Sequence, residues 1–368
     1  MSAQNAALNL TNGAEHKFPW KWYLKDLPNI PKNGLKVFSC FSCGGGSSMG
    51  YKLAGYEVIG NCEIDPRVNA VYKLNNHPKL CYECDIRELV DKDDLPEELY
   101  ALDVLDGSPP CSVFSMAGKR EDGWNSEKVF REGQAMQRLD DLFFWFIKLA
   151  KKLQPKVVIA ENVKGLVVGN AKGYVNEIVK AFNAAGYSVQ MFLLNAAMMG
   201  VPQARERCFF VAHRKDLDFP KLEMRFNERP ILFGEVRTEA GTPLTPGTLI
   251  ETLMAKRRFT DRDVADINKR MRGKNSGFTQ PILSDKMVPP TVTGGGLTSG
   301  SRMYRMCDGM AVSEGDVRNM QTFPQDYNFG KEDAKYVCGM SVPPVMMAQV
   351  ASAIYEQWFR RQDGATES

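Results

Sequence analysis

Leu35-Lys36-Val37-Phe38-Ser39-Cys40-Phe41 is a compact apolar run, and Ser42-Cys43-Gly44-Gly45-Gly46-Ser47-Ser48 follows it at once. Strand, glycine loop, then a helix over residues 47 to 54 is the opening of a nucleotide-type βαβ unit. Glycines let backbone approach a ligand because no Cβ intervenes. The loop lacks a Gly-Lys-Ser/Thr ending, which speaks against a phosphate-gripping P-loop. Taken alone it is equally a surface turn, so the strands that follow decide the reading.

Residues 57 to 62 form a second strand that ends in Glu63-Ile64-Asp65-Pro66. A carboxylate there, roughly 20 residues past the glycines, is where a ribose diol is held. Asp65 is placed to cap the next helix and Pro66 fits its first turn, so Glu63 is the ligand candidate. A third run, residues 80 to 84, ends in Asp85-Ile86. An acid at that point caps a helix or accepts from an adenine amino group. Glycine loop, Glu and Asp at three consecutive strand ends together indicate an adenosine-containing cofactor.

A fourth strand, Leu102-Asp103-Val104-Leu105, runs into Asp106-Gly107-Ser108-Pro109-Pro110-Cys111. Two prolines fix φ near −65° and remove two donors, so the Cys111 thiol leaves the strand end in a defined direction. The alternative is a proline-bounded turn with a buried cysteine. Residues 138 to 153 place Leu139, Leu142, Phe143, Phe146, Leu149 and Leu153 on one helical stripe. The fifth strand, residues 156 to 160, ends in Glu161-Asn162-Val163. Residues 173 to 185 read as a helix closed by Gly186, and residues 187 to 194 and 208 to 212 as the last two strands. Between those strands lies Gln203-Ala204-Arg205-Glu206-Arg207. If it is strand, its two arginines point the same way.

The 368 residues carry a formal net charge of only +3, so any polyanion contact must come from local charge. Nine cysteines are scattered and odd in number, which suits free thiols in a reducing compartment. No apolar run reaches the roughly 18 residues of a membrane span, and residues 1 to 16 lack the pattern of a signal peptide. A cytoplasmic protein with no membrane partner is expected.

The order Phe41-Ser42-Cys43-Gly44-Gly45-Gly46, Pro109-Pro110-Cys111, Glu161-Asn162-Val163 and Gln203-Ala204-Arg205-Glu206-Arg207 resembles the cytosine-C5 DNA methyltransferases of bacteria and phages. Gln321-Thr322-Phe323-Pro324 and Gly339-Met340-Ser341-Val342-Pro343 extend the likeness, which covers residues 35 to 213 and 289 to 356. Six pieces in the family's order make it specific. The resemblance implies an α/β fold: a doubly wound, mostly parallel Rossmann-like sheet with a second, smaller target-recognition domain. It implies an N-terminal arm over 1–34, a catalytic domain over 35–213, a target-recognition domain over 214–288, and a C-terminal return over 289–368.

It further implies S-adenosyl-L-methionine as cofactor and a cytosine flipped from double-stranded DNA, with Cys111 as the nucleophile, Glu161 at N3, Arg207 at O2 and Arg205 in support. Cofactor contacts are implied for Phe41, Gly44, Gly45, Gly46, Glu63, Ile64, Asp85, Ile86, Pro110, Leu142 and Ser341. The loop over residues 112 to 135 should close over the base and the DNA backbone, bringing Ser115, Lys119 and Arg120 to the DNA. Cys43, Ser112, Met310, Asp316 and Met340 depart from common family residues. A monomer is expected, acting beside a separate restriction endonuclease or as an orphan methylase.

Residues 214 to 288 match no motif, yet Lys256, Arg257, Arg258, Arg262, Lys269, Arg270, Arg272 and Lys274 make a basic stretch broken by three aspartates. Lys269, Arg270 and Arg272 are expected at DNA phosphates; the alternative is a solvated helix face. Two rival functions stand. Cys40-x-x-Cys43 and Cys81-x-x-Cys84 have zinc-pair spacing, which would suit a nucleic-acid-binding module, though no metal is expected. A tRNA cytosine-5 methyltransferase branch shares the same motifs.

Overall fold

The computed structural model describes residues 16–110, 141–167, 172–274, 280–295 and 302–360. The chain divides into two compact units. One holds residues 30–195, 206–225 and the chain from 347 onward, and is built on a seven-stranded sheet. Its strands are β1 (Lys36–Cys40), β2 (Glu57–Cys62), β3 (Leu80–Tyr82), β4 (Val104–Gly107), β5 (Val157–Val163), β6 (Tyr187–Asn195) and β7 (Glu206–Arg214). Their order in the sheet is β3-β2-β1-β4-β5-β7-β6.

Strands β1 to β5 run parallel, while β7 is antiparallel to both β5 and β6. Parallel strands covered on both faces read as continuous apolar runs, as Val37, Phe38, Val104, Leu105, Val157, Val158 and Ile159 do, all fully buried. Strand order reverses between β1 and β4. At such a switch the connecting segments part, and a crevice opens at the carboxyl ends of the strands.

The helices of this unit are α1 (Gly46–Leu53), α2 (Pro66–Asn76), α3 (Ile86–Asp91), α4 (Leu142–Leu153) and α5 (Lys172–Ala184). Helix α4 buries the expected stripe: Leu142, Phe143, Phe146, Leu149 and Leu153 lie in one core cluster with Phe38, Leu105 and Phe210. Each such side chain is worth about 1.5–3 kcal/mol of burial. Leu139 lies outside the described residues. Gly186 takes φ 95 after α5, the left-handed turn that glycine makes cheaply. The third strand is shorter than expected, ending at Tyr82. At the C-terminus, Trp358 stacks on Phe219 at 5.2 Å, and Tyr56 donates its hydroxyl to Ala351 O at 2.9 Å.

The other unit gathers residues 16–29, 196–205 and 226–346. Its helices are α6 (Leu249–Ala255), α7 (Val264–Arg272), α8 (Glu314–Met320) and α9 (Ala334–Met340), with a two-stranded parallel pair β8 (Ile282–Leu283) and β9 (Tyr304–Arg305). Leu253, Met254, Val264, Ile267, Ile282 and Tyr304 make one core. Arg305 and Asp316, both fully buried, make a second centre: the guanidinium meets Asp316 at 3.4 Å, Asp308 at 3.1 Å and the carbonyls of Thr238 and Glu239.

These limits depart from the boundaries expected from sequence. Residues 289–346 cluster with residues 226–288, because β8 pairs with β9 and Arg305 is tied to Thr238. Residues 16–29, expected as part of an N-terminal arm, cluster with the second unit: Trp22 is buried there and its Nε1–H donates to Thr322 O at 2.8 Å. One stretch, Ala334–Phe359, is long and apolar enough to cross a membrane, and 89% of its apolar 18-residue window is buried inside the protein.

Candidate active site

The glycine loop leaves β1 through three positive-φ residues, Phe41 (53), Cys43 (46) and Gly45 (82). Gly45 N donates to Ser42 O at 2.8 Å, closing the turn. A Cβ on Gly45 would lie 2.2 Å from Asn76 Nδ2 and 2.9 Å from the Tyr72 ring, so only glycine fits under α2. Cys43 occupies a left-handed position where glycine would sit without strain, yet its backbone N–H donates to Glu63 Oε2 at 2.8 Å.

Glu63 Oε1 accepts from Asp65 N at 3.0 Å. Burial pushes this carboxyl up, and the backbone amides pull it back. An ionised carboxylate offers about four acceptor positions, so the backbone amides of Cys43, Ile64 and Asp65 still leave room for a ribose hydroxyl. Ile64 beside it is 37% exposed, an apolar surface next to an acceptor pair. These residues fit the ribose and base of an adenosine. Phe41 packs against Phe146 at 6.4 Å, and Pro110 is half-buried.

Asp65 and Asp85 are both caps. Asp65 Oδ1 accepts from Arg67 N at 3.0 Å at the start of α2. Asp85 caps α3: its carboxylate accepts from Arg87 N at 2.8 Å and Arg87 Nη1 at 2.9 Å, while Arg87 also pairs with Asp141. The adenine contact expected of Asp85 therefore competes with two bonds already made. Ile86 and Leu142 are buried core residues at 2% and 3% exposure.

At the β4 and β5 ends a second set assembles. Asn162 Nδ2 donates to Pro109 O at 3.0 Å, and its Oδ1 accepts from Val163 N at 2.8 Å. The chain thus departs toward Cys111 from a fixed carbonyl. Cys111, Ser115, Lys119 and Arg120, with the loop over residues 112 to 135, lie outside the described residues. Glu161 Oε1 meets Arg207 Nε at 2.9 Å, and both side chains are largely buried at 9% and 13% exposure. Arg207 Nη1 donates to Glu206 O at 2.7 Å. Burial lowers the Arg207 guanidinium from its usual range, and Glu161 raises it again. The cause of this meeting is topological: antiparallel β7 sets Val163 opposite Arg207.

Beneath the loop, Asp106 is fully buried and accepts from Ser39 Oγ at 2.8 Å and Tyr51 OH at 3.2 Å. Burial first, with the charge of Glu161, pushes it up to about 7, against the hydroxyls that lower it. The sequence reading passed over Asp106 and Asn162. Their only signal was position, a polar side chain inside an apolar strand or next to a motif acid.

Arg205 corrects the expectation of two arginines on one strand. It precedes β7 and belongs to the other unit. There it is 2% exposed and donates to the carbonyls of Val292, Gly339 and Ser341, each at 3.0 Å. Gln203 reaches Gln321 Oε1 at 2.6 Å and Met320 O at 3.1 Å, and accepts from Val292 N at 2.9 Å. The late motifs thus bind one another. Ser341 is part of that lattice: its hydroxyl donates to Val337 O at 2.8 Å and it is 4% exposed, so the cofactor contact expected of it finds the side chain already engaged.

The zinc reading finds no ligand set. Cys40 and Cys62 are buried, Cys62 Sγ turns to Cys84 O at 3.6 Å, and no group of three or more His, Cys, Asp or Glu side chains is arranged for a metal among the described residues.

Comparison with known proteins agrees with this geometry. A sequence model described as C-5 cytosine-specific DNA methylase matches residues 35–356. The type II methyltransferase M.NgoPII of Neisseria gonorrhoeae is 30% identical over 359 residues, covering 88% of this chain and 96% of that protein. The type II methyltransferase M.FnuDI of Fusobacterium nucleatum is 38% identical over 192 residues, 52% of this chain and 51% of its own. Among solved structures, a prophage-encoded protein of E. coli described as a DNA modification methyltransferase superposes with a TM-score of 0.64 at 20% identity, covering 88% of this chain and 99% of that one.

Proposed function

We propose, for a chain that belongs to the C-5 cytosine-specific DNA methylase family and takes its methyl group from S-adenosyl-L-methionine, that it methylates one cytosine within a short duplex-DNA context. In this reading Cys111 is the nucleophile, and Glu161 and Arg207 hold the extruded base. The observation that carries it is the Glu161–Arg207 pair at 2.9 Å, on the sheet edge where Asn162 pins the carbonyl of Pro109.

Cytosine C5 is a poor nucleophile. When the Cys111 thiolate forms a bond to C6, the C5=C6 π electrons move to C5 and give it carbanion character. S-adenosyl-L-methionine, when bound, would supply an electrophilic methyl carbon to C5, its S–CH3 bond breaking as the neutral thioether leaves. A base then removes the C5 proton, the double bond re-forms, and the thiolate leaves C6. Negative charge spreads to N3 and O2 while the adduct exists. Arg207 Nε fixes Oε1 of Glu161, which leaves Oε2 to carry the proton donated to N3 as charge builds there, and the guanidinium faces O2. Glu63, Ile64 and Phe41 would hold the adenosine, and the glycines of the Ser42–Gly46 loop would let the backbone approach the rest of the cofactor. Lys269 and Arg272 serve DNA phosphates, in a cytoplasmic monomer that acts beside a restriction endonuclease or alone.

Labelled S-adenosyl-L-methionine offered to duplex DNA and total tRNA in parallel tests this reading. Label in DNA at cytosines of one repeated context, mapped by bisulfite sequencing, is the expected result. Label in tRNA alone would replace the substrate class while leaving the chemistry of the pair in place.

A further inference from the structure

The second unit carries an aromatic side chain that its own fold does not use. Phe259 is 86% exposed, more than any other large hydrophobic side chain among the described residues. Scattered apolar side chains on a surface are ordinary. What sets this one apart is the construction beneath it and the charge around it.

The turn that carries it is closed from both ends. Asp261 N donates to Arg258 O at 2.9 Å, and Arg258 N donates to Asp261 Oδ2 at 2.7 Å. The Asp261 carboxylate is 4% exposed and takes both nitrogens of the Arg270 fork, at 2.5 and 3.1 Å, while Arg270 also donates to Lys256 O at 2.7 Å. On the other flank Arg257 donates to the carbonyls of Met306, Met254 and Cys307 at 2.7, 3.0 and 3.3 Å. Two guanidiniums and a buried carboxylate are thus committed to holding one short turn still. Arg270, expected at a phosphate from sequence, is part of this support.

A turn fixed this firmly had every means to fold its phenyl ring inward, and it points it out. Along the chain its exposed neighbours include three cations, Lys256, Arg258 and Arg262. A protein partner of ordinary composition would ask for further apolar surface around the ring. A ring among arginines suits a polyanion that also has flat apolar faces, which describes nucleic acid.

We propose that Phe259 contacts the bases of duplex DNA, stacked on or wedged against a base step, with Arg258 and Arg262 on the flanking phosphates. The inference rests on the reading of the chain as a DNA methylase and adds the residue that carries base contact in the second unit. Holding the turn in advance removes the cost of ordering it at the moment of binding.

Phe259→Ala and the double variant Arg258→Gln/Arg262→Gln test it. Dissociation constants are measured over a salt series for the duplex context that the unmutated protein methylates and for a scrambled duplex. Phe259→Ala should weaken the methylated context roughly tenfold or more, weaken the scrambled duplex less, and leave the salt slope unchanged. The arginine pair should weaken both duplexes alike and lower the log–log salt slope by about two. A Phe259→Ala protein that binds both duplexes as the unmutated one does overturns the inference, as does one whose loss is equal on both duplexes. A change in its oligomeric mass with DNA affinity intact would reassign the ring to self-association and overturn it as well. If the unmutated protein methylates no duplex, the reading of the enzyme fails first and this assignment falls with it. That outcome is read on the parent protein alone, so the two failures are told apart.

Discussion

Two arginine–carboxylate pairs show how the same chemistry serves different ends. In the second unit, Arg305 and Asp316 are both 0% exposed and each is met by several local partners. Asp316 accepts from Thr238 N, Thr238 Oγ1 and Ser313 N at 2.7, 2.9 and 2.8 Å, and Arg305 donates to two carbonyls besides. In the sheet unit, Glu161 and Arg207 keep 9% and 13% exposure at a strand edge. A pair buried among that many local partners is scaffold. A pair left partly open at the end of the sheet where the motifs gather is the candidate for function.

The sharpest way to break that contrast is at the catalytic edge. Cys111→Ser should reduce methyl transfer by roughly a thousandfold or more while calorimetry still finds cofactor binding. Retained turnover would remove the covalent route. Glu161→Gln should slow single-turnover methylation by about a hundredfold or more with little change in Tm. An equal loss of stability would make this pair scaffold as well. Arg305→Met should do the reverse, costing about 3–5 kcal/mol because it leaves Asp316 charged and buried. Its activity per folded molecule should stay near that of the unmutated enzyme at low temperature, and a large fall in kcat without a fall in Tm would contradict this.

Asp106 sharpens the comparison through pH. It faces Tyr51 and the charge of Glu161, and Cys40 and Tyr72 also lie within its field. Its pKa in the fold is raised from 3.8 to about 7, worth on the order of 4 kcal/mol between its protonation states. The folded protein holds the proton where the unfolded chain has lost it. This contribution is fully present below about pH 4 and is lost as pH rises through about 7. Relative to the parent, Asp106→Asn should therefore gain stability steadily across that window in denaturant titrations, and a pH-independent difference would place the proton elsewhere. The smallest expected effect is at Cys43. Cys43→Gly relieves a left-handed residue at φ 46, which should stabilise by up to about 1 kcal/mol and leave cofactor affinity unchanged, since the bond to Glu63 is made by the backbone.

Much of the sheet unit was legible because parallel strands announce themselves as short apolar runs and their ends carry the polar residues. Glu63, Asp65 and Glu161 stand where their positions in the chain put them. Arg205 and Arg207 were not separable by the same logic. Spacing gives side-chain direction only inside a strand, and β7 begins at Glu206, one residue after the first arginine. Asp85 and Ser341 show another gap: a motif position does not reveal whether its side chain has already found a partner. Met340 replaces a common asparagine, and a Cβ on Gly294 would lie 2.6 Å from its sulfur, so glycine leaves the space that Met340 fills. In residues 214–288 no motif marked the turn that presents Phe259, because that turn is made by side chains meeting carbonyls rather than by a repeating pattern.

The antiparallel entry of β7 has a consequence for how this protein comes into being. Glu161 can meet Arg207 only once the chain has travelled out through α5 and β6 and returned beside β5. Such a late, long-range pairing carries a loop-closure cost that local helices do not. During synthesis the glycine loop and the first five strands can emerge and associate while the polypeptide is still chemically silent. The Glu161–Arg207 pair then forms in one step, when the returning strand zips into place, and a chain broken off before Glu206 would hold Glu161 without the guanidinium that fixes it.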